Sequence, residues 1–138
     1  MEIKKYNYMP EEARNIRQKV FVEEQGFQEE FDEIDGRATH LLVYDGERAV
    51  ATCRFFFSEK LNGYLVGRIA VVKEYRGKRI GALMMEKTKE CLQELGQKGV
   101  FLHAQTHAIG FYKKQGFVSL GIEDEEEGCP HLWMKKEW

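Results

Sequence analysis

The segment with the clearest chemical character is a basic turn at residues 73–79. It carries Lys73, Arg76, Lys78 and Arg79, and Glu74 is the one acid among them. The turn follows a predicted strand and opens an amphipathic helix, whose first amides lack backbone acceptors and carry a partial positive charge. These features predict a pyrophosphate site, although a solvated basic turn would have the same composition. The spacing matches neither GxxxxGK[ST] nor GxGxxG, which disfavours a nucleoside triphosphate or a dinucleotide.

Acidic residues concentrate in two other segments. Residues 23–35 contain seven acids and no base, and residues 123–127 contain five more acids. Because the net charge of the whole chain is −2, the remainder of the chain is basic. This partition predicts a polyanion at the basic turn and a cationic ligand at residues 23–35. Residues 123–127 are predicted to be a solvated hairpin loop without such a role.

Length and composition narrow the class of protein. The 138 residues, of which 43% are hydrophobic and 32% charged, predict one globular domain over residues 1–138. No apolar run is long enough to cross a bilayer, and residues 1–5 lack the apolar stretch of a signal peptide, so a cytoplasmic protein with no membrane partner is expected. The three cysteines are too far apart for a disulfide framework or a CxxC metal site. A net charge near zero argues against nucleic-acid binding.

Turn signals and hydrophobic periodicity predict the elements that position these residues. Asp45-Gly46 and Asn62-Gly63 predict hairpin turns between three antiparallel strands. A later strand–helix–strand step predicts a parallel crossover in a mixed sheet, and therefore an α/β fold. In chain order the predicted elements are a strand at 3–8, a helix from Pro10 to near Gly26, strands at 41–44, 49–57 and 64–72, a helix at 80–95, a strand at 100–104, a helix at 108–115, and strands at 117–122 and 131–135.

Three stretches carry a family resemblance through their order and separation. They are Arg76-Gly-Lys-Arg-Ile-Gly81; Ala104-Gln105 with Phe111-Tyr112-x-x-x-Gly116-Phe117; and Val20-Phe-Val-Glu-Glu-Gln25 with Asp35, His40 and Glu127-Gly-Cys-Pro-His131. The chain resembles the GNAT superfamily of acetyl-CoA-dependent N-acetyltransferases, and within it the ElaA-like subgroup. The resemblance covers nearly the whole chain, and it implies a mixed sheet of about seven strands with helices on both faces.

The resemblance implies an enzyme that moves the acetyl group of acetyl-CoA to an amine by direct attack in a ternary complex, without a metal. Backbone groups of the strand before the turn would bind the pantetheine arm, and the turn would bind the pyrophosphate. Tyr112 matches the tyrosine that protonates the departing thiolate, which a hydroxyl beside the sulfur can do. The implied cofactor contacts are Ile69, Ala70, Val71, Arg76, Gly77, Lys78, Arg79, Ile80, Gly81, Ala82, Gln105 and Tyr112.

Arg79 departs from the family pattern, which usually has glycine at this position. Its side chain either points away from the phosphates or adds a direct contact with them. In both cases the backbone is expected to adopt φ and ψ angles that suit a residue other than glycine.

The acceptor amine must lose a proton, to a side chain or to a chain of waters. Histidine is the natural base near neutral pH. His131 is expected at the acceptor cleft as catalytic base or substrate ligand, and His40 as a substrate ligand, whereas His103 is expected to be a core histidine. Glu24 and Asp35 are expected to attract the cationic amine.

Two other functions remain open at this point. A catalytically weak sensor or partner module that binds acyl-CoA would keep the cofactor turn without useful turnover. A small nucleic-acid-binding domain would use the basic turn, but Phe55, Phe56 and Phe57 alternate faces and form no single stacking platform. The acceptor is open between a small molecule, a peptide N-terminus and a lysine, and a homodimer is possible within the family.

Overall fold

The computed structural model describes residues 1–28 and 30–138, so that Glu29 of the first acidic segment lies outside the described residues. Seven strands and three α-helices make up the described part of the chain. The strands are β1 (Glu2–Tyr6), β2 (Thr39–Asp45), β3 (Arg48–Ser58), β4 (Gly63–Val71), β5 (Gly99–Gln105), β6 (Val118–Glu126) and β7 (Cys129–Glu137). The helices are α1 (Glu11–Arg17), α2 (Ile80–Glu94) and α3 (Ile109–Lys114), with short 3₁₀ turns at Glu33–Gly36, Lys73–Tyr75 and Thr106–Ala108.

The strands form one mixed sheet in the order β1-β2-β3-β4-β5-β7-β6. Among the strands described, β4 and β5 are the one parallel pair. Their register covers only Leu65 with Phe101 and Val66 with Leu102, after which the two strands separate. β5 continues beside β7 along its full length, from Gly99 to Gln105. The sheet is therefore open between β4 and the later half of β5.

The central strand β3 is covered on both faces. Cys53 approaches Thr88 of α2, with 3.7 Å between sulfur and hydroxyl oxygen. The neighbouring Arg54 points to the opposite face, where it contacts Asp35, which in turn contacts Arg17 of α1. Because successive side chains of a strand alternate between faces, α1 and α2 lie on opposite sides of the sheet, as predicted. No helix in the described ranges is long and apolar enough to cross a membrane.

Two segments differ from the sequence-based prediction. The first helix continues beyond α1 as a π-helical segment, Gln18–Glu24, before the chain turns at Gly26. The acidic residues 123–126 belong to strand β6, and the hairpin turn is formed by Glu127 and Gly128, which have φ angles of 49° and 76°. The prediction of a loop over 123–127 was therefore wrong. The run of charges suits an exposed edge strand, because charged side chains protect such an edge from pairing with other chains.

Candidate active site

The candidate active site lies where β4 leaves β5. A bulge interrupts the register between β3 and β4 here, since Thr52 pairs with Ala70 while Arg54 pairs with Gly67. Arg68, in the bulge, has a left-handed φ of 50°. A bulge increases the local twist and redirects the strand, and here it lies next to the point at which β4 and β5 stop pairing.

A cavity of about 320 Å³ occupies this opening. Both separated strands contribute to its wall, together with the π-helical segment, α3, the β6–β7 hairpin, and Phe27, Glu30, Asp32 and Ile34. Three of the residues predicted to contact the cofactor line it: Ile69, Gln105 and Tyr112. His131, the predicted catalytic base, lines it as well. Ala70 is buried, and neither it nor Val71 lines the cavity.

The basic turn lies beyond the end of β4 and leads into the N-terminus of α2. Gly77 and Arg79 have φ angles of 79° and 63°, and Arg79 directly precedes Ile80, the first residue of α2. Arg79 therefore keeps the left-handed conformation that glycine would adopt, which corrects the expectation of angles suited to other residues. Gly81 permits a close contact, because a Cβ at that position would lie 3.0 Å from the Phe111 ring.

Arg76 and Glu24 contact each other. The Arg76 guanidinium forms two contacts of 3.0 Å with the Glu24 carboxylate, and its Nε donates to the Val71 carbonyl at 2.9 Å. Glu24 does not line the cavity. The expectation that Glu24 faces the acceptor is thus corrected, since this carboxylate neutralises an arginine beside the basic turn.

Tyr112 is buried within α3, with 8% of its surface exposed, and lines the cavity. Its ring packs edge-on against Phe111 and Phe117. The described residues provide no hydrogen-bond partner for its hydroxyl, and burial raises the pKa of Tyr112 above its usual value of 10.0. The hydroxyl is therefore protonated near neutral pH and free to bond to a ligand.

Gln105 lies at the end of β5, at the mouth of the same cavity. Its amide nitrogen donates to the Gln25 side chain at 2.8 Å, and its amide oxygen pairs with His107 Nε2 at 2.5 Å. These contacts connect the π-helical segment to the segment before α3. Gln105 thus fixes the edge of the opening.

Three carboxylates of the first acidic segment, those of Glu30, Asp32 and Asp35, are paired with three arginines. Arg17, 1% exposed, contacts Glu30 at 2.9 Å and Asp35 at 2.6 Å. Arg54 contacts Asp35 at 2.8 Å and Asp32 at 2.6 Å. Arg68 completes the network with a contact of 3.1 Å to Glu30. These three carboxylates therefore do not contribute free negative charge that could attract an amine.

Asp35 is a buried member of this network and does not line the cavity. Burial alone would raise its pKa, but the hydrogen bond and charge of Arg17, together with the charge of Arg54, lower the pKa of Asp35 to about 2. The expectation that Asp35 contacts the substrate is corrected: its carboxylate holds two buried guanidinium groups.

His40 is completely buried on β2 and lies outside the cavity. Its Nε2 is 2.9 Å from the carbonyl oxygen of Asp35, and burial lowers the pKa of His40 below 6.5. The expected position at the acceptor cleft was therefore wrong, because the alternation of β2 turns this ring into the protein interior.

His131 occupies the cavity wall as part of a polar cluster on one face of β5, β7 and β6. Its Nδ1 donates to the Cys129 carbonyl at 2.7 Å, which leaves Nε2 as the nitrogen with a free lone pair. The ring stacks on His103, and His103 stacks on Trp133, at centroid distances of 4.5 and 4.3 Å. Glu126 Oε2 lies 3.8 Å from His131 Nε2.

His103 lines the cavity and is not the core histidine that was expected. Its Nε2 is 2.5 Å from Asp124 Oδ1, and Asp124 also accepts from Trp133 Nε1 at 3.2 Å. Burial alone would lower the pKa of His103, but the hydrogen bonds with Glu126 and Asp124 outweigh burial and raise the pKa. The two carboxylates thus make the His103 ring easier to protonate than a free imidazole.

Apart from His131, the residues of the polar cluster were missed as site residues in the sequence, and so was Arg68. The alternation of each strand was the available signal, since His103 and Gln105, His131 and Trp133, and Asp124 and Glu126 are each two residues apart. The pairing of Asp124 with His131, and of His103 with Trp133, brings these side chains together.

Comparison with known proteins identifies the family. A family model described as an acetyltransferase (GNAT) domain matches residues 5–138. The uncharacterized N-acetyltransferase YjcF of Bacillus subtilis is 36% identical over 130 residues, which cover 91% of this chain and 91% of that protein. Protein ElaA of Escherichia coli is 35% identical over 127 residues, 88% of this chain and 83% of ElaA.

Solved structures agree with this assignment. The crystal structure of Escherichia coli ElaA has a TM-score of 0.85 and 31% identity over 99% of each chain. An aminoglycoside 6'-N-acetyltransferase complexed with coenzyme A shares the fold, with a TM-score of 0.80 and 13% identity over 99% of this chain and 97% of that one. The chain belongs to the GNAT family of acetyltransferases.

Proposed function

We propose that this protein transfers the acetyl group of acetyl-CoA to a primary amine by direct attack, with the thioester in the cavity between β4 and β5. The observation that carries the proposal is the Tyr112 hydroxyl, which is buried beside this cavity and bonds to no described residue. A neutral hydroxyl in this position can donate a proton to a leaving thiolate.

The basic turn fits a pyrophosphate. Left-handed angles at Gly77 and Arg79 and the exposed side chains of Lys78 and Arg79 precede the first turn of α2, whose amides have no helical acceptor. Arg76 would exchange its contact with Glu24 for one with phosphate. Ile69 to Val71 would offer backbone groups to the pantetheine arm, in keeping with the coenzyme A bound by the aminoglycoside acetyltransferase of the same fold.

Proton removal from the amine is assigned to His131. Its Nε2 has a free lone pair, the ring lines the cavity, and the Cys129 carbonyl fixes its orientation. Glu126, 3.8 Å from this nitrogen, would attract an ammonium group toward it. The amine would thus enter beside the β6–β7 hairpin.

The test combines turnover with separate measurement of binding. Free CoA thiol and acetylated product are followed over a panel of small amines, peptides and lysine-containing substrates, and isothermal titration measures CoA affinity. We expect acceptor-dependent thiol release, and about tenfold weaker CoA binding in Arg79→Gln. Lys60→Gln, which removes an exposed charge in the β3–β4 turn, is the control and is expected to bind as the wild type.

Two results would contradict the proposal. CoA binding without transfer to any amine would indicate a sensor on the same fold. An absence of CoA binding would reject the assignment of the turn.

A further inference from the structure

Three potential metal ligands converge in the polar cluster on β5, β6 and β7. His103 Nδ1 lies 3.6 Å from Glu126 Oε2, and His131 Nε2 lies 3.8 Å from the same oxygen. All three ligand atoms lie within 4.8 Å of one another. The three side chains line the cavity described above, so a ligand at this point would be accessible from the cavity.

The other nitrogen of each imidazole is already bonded. His103 Nε2 pairs with the Asp124 carboxylate at 2.5 Å, and Asp124 is held in turn by Trp133 Nε1 at 3.2 Å. His131 Nδ1 donates to the Cys129 carbonyl at 2.7 Å. Since neither oxygen can donate, each neutral ring carries its proton on the bonded nitrogen and directs its lone pair toward Glu126.

We propose that His103, Glu126 and His131 form a binding site for a divalent transition-metal ion of the zinc type. Two histidines and one carboxylate are a common ligand set for zinc with a fourth position left open. A carboxylate or a backbone carbonyl behind each ligating histidine is the usual outer partner in such sites. This inference revises the expectation of no metal, which rested on the family resemblance and on the cysteine spacing.

The two distances to Glu126 require only a small contraction. Ligand atoms about 2.1 Å from a tetrahedral metal ion lie about 3.4 Å from one another. The two distances to Glu126 exceed this value by a few tenths of an ångström. Because Glu126 is an exposed residue near the end of an edge strand, a rotation of its side chain can shorten its distances to the two histidines. The two imidazole nitrogens, which lie within 4.8 Å of each other, would have to approach by up to about 1.4 Å.

Metal binding and the proposed proton transfer would compete. The ion would take the lone pair of His131 Nε2, which is the atom assigned to receive the proton from the amine. We therefore expect the ion to inhibit acetyl transfer. This consequence rests on the proposed function, whereas binding of the ion does not.

The experiment uses tag-free protein treated with a chelator, with Zn²⁺ measured by isothermal titration and Co²⁺ by its visible absorption. We expect one saturable site, and a loss of affinity of at least tenfold in Glu126→Gln and in His103→Asn. Glu125→Gln is the matched control, because it removes the same charge from the neighbouring residue of β6 on the opposite face. Melting temperatures without metal establish that each variant is folded.

Each outcome of these titrations either supports or overturns the metal site. No saturable binding, or equal affinity in Glu126→Gln and Glu125→Gln, would overturn the site and leave His103 as a hydrogen-bonding partner of the Asp124 carboxylate. Site-dependent binding that leaves acetyl transfer unaffected would support the metal site and contradict the role of His131 as base.

Discussion

Removal of the Tyr112 hydroxyl should affect catalysis without affecting stability. Tyr112→Phe removes one oxygen that bonds to no described residue, so the free energy of unfolding is expected to change by less than about 0.5 kcal/mol. If this hydroxyl protonates the leaving thiolate, its loss should lower kcat by a factor of about 10²–10⁴. That factor corresponds to about 3–5 kcal/mol of transition-state stabilisation.

Tyr44→Phe is the matched control, because Tyr44 is also 8% exposed. Its hydroxyl donates to Glu12 at 3.3 Å and contacts the Tyr6 hydroxyl at 3.2 Å, and none of these three residues lines the cavity. Removing it should cost about 1 kcal/mol of stability and leave kcat unchanged. Urea denaturation and acceptor-dependent thiol release measure the two effects on the same preparations.

The comparison of the two variants is the critical result. Tyr112→Phe must lose turnover and keep stability, while Tyr44→Phe must do the reverse. A Tyr112→Phe protein that retains most of its kcat would refute the assignment of the general acid, even if CoA binding were intact.

Three further predictions concern the surroundings of the site. We expect Arg17→Met to lower the free energy of unfolding by about 3 kcal/mol, because it leaves two buried carboxylates with one arginine each. Arg48→Met breaks an exposed ion pair of the same 2.6 Å length and should cause no measurable change in urea denaturation; equal losses would contradict the importance of burial. As pH falls from 3.8 to about 2, Asp35 is protonated in the unfolded chain before it is protonated in the folded protein. The free energy of unfolding, measured by urea denaturation, should therefore fall by about 2 kcal/mol over this range. An equally steep fall in Asp35→Asn would show that another group causes it. The free energy of unfolding should be about 1 kcal/mol higher for Arg79→Gly than for Arg79→Ala, because a φ of 63° is strained for alanine. Equal midpoints of urea denaturation for the two variants would place residue 79 outside the left-handed region.

Local signals in the sequence were enough for most of the architecture. Asp45-Gly46 and Asn62-Gly63 marked two hairpins, and the change from strand to helix period marked the crossover before Ile80. The resemblance to the GNAT superfamily, carried by the cofactor turn and the Tyr112 segment, was confirmed by the family match. These features depend on short stretches of chain, where turn geometry and periodicity act directly.

The charged residues were harder to place, because their partners are distant in sequence. Arg17 lies on the buried face of its helix, four residues after Ala13, and this was a sign that it needed internal acids. Asp35 lies 18 residues from Arg17 and 19 from Arg54. Without the fold, a buried carboxylate between two arginines could not be distinguished from an exposed acid that attracts a substrate.

The second acidic segment illustrates a different difficulty. A run of five charges is typical of a solvated loop, and only the pairing of β6 with β7 shows that alternate members face two histidines. Composition alone carries no information on which face of a strand is used, and the edge position of β6 allows charge on both faces.

A crystal structure with CoA bound would test the central claim most directly, through the distance from the CoA sulfur to the Tyr112 hydroxyl. The account predicts that the sulfur lies within hydrogen-bonding distance of Tyr112 in the cavity between β4 and β5, with the pyrophosphate at the N-terminus of α2. A sulfur outside this cavity, or one beyond the reach of Tyr112, would contradict the account.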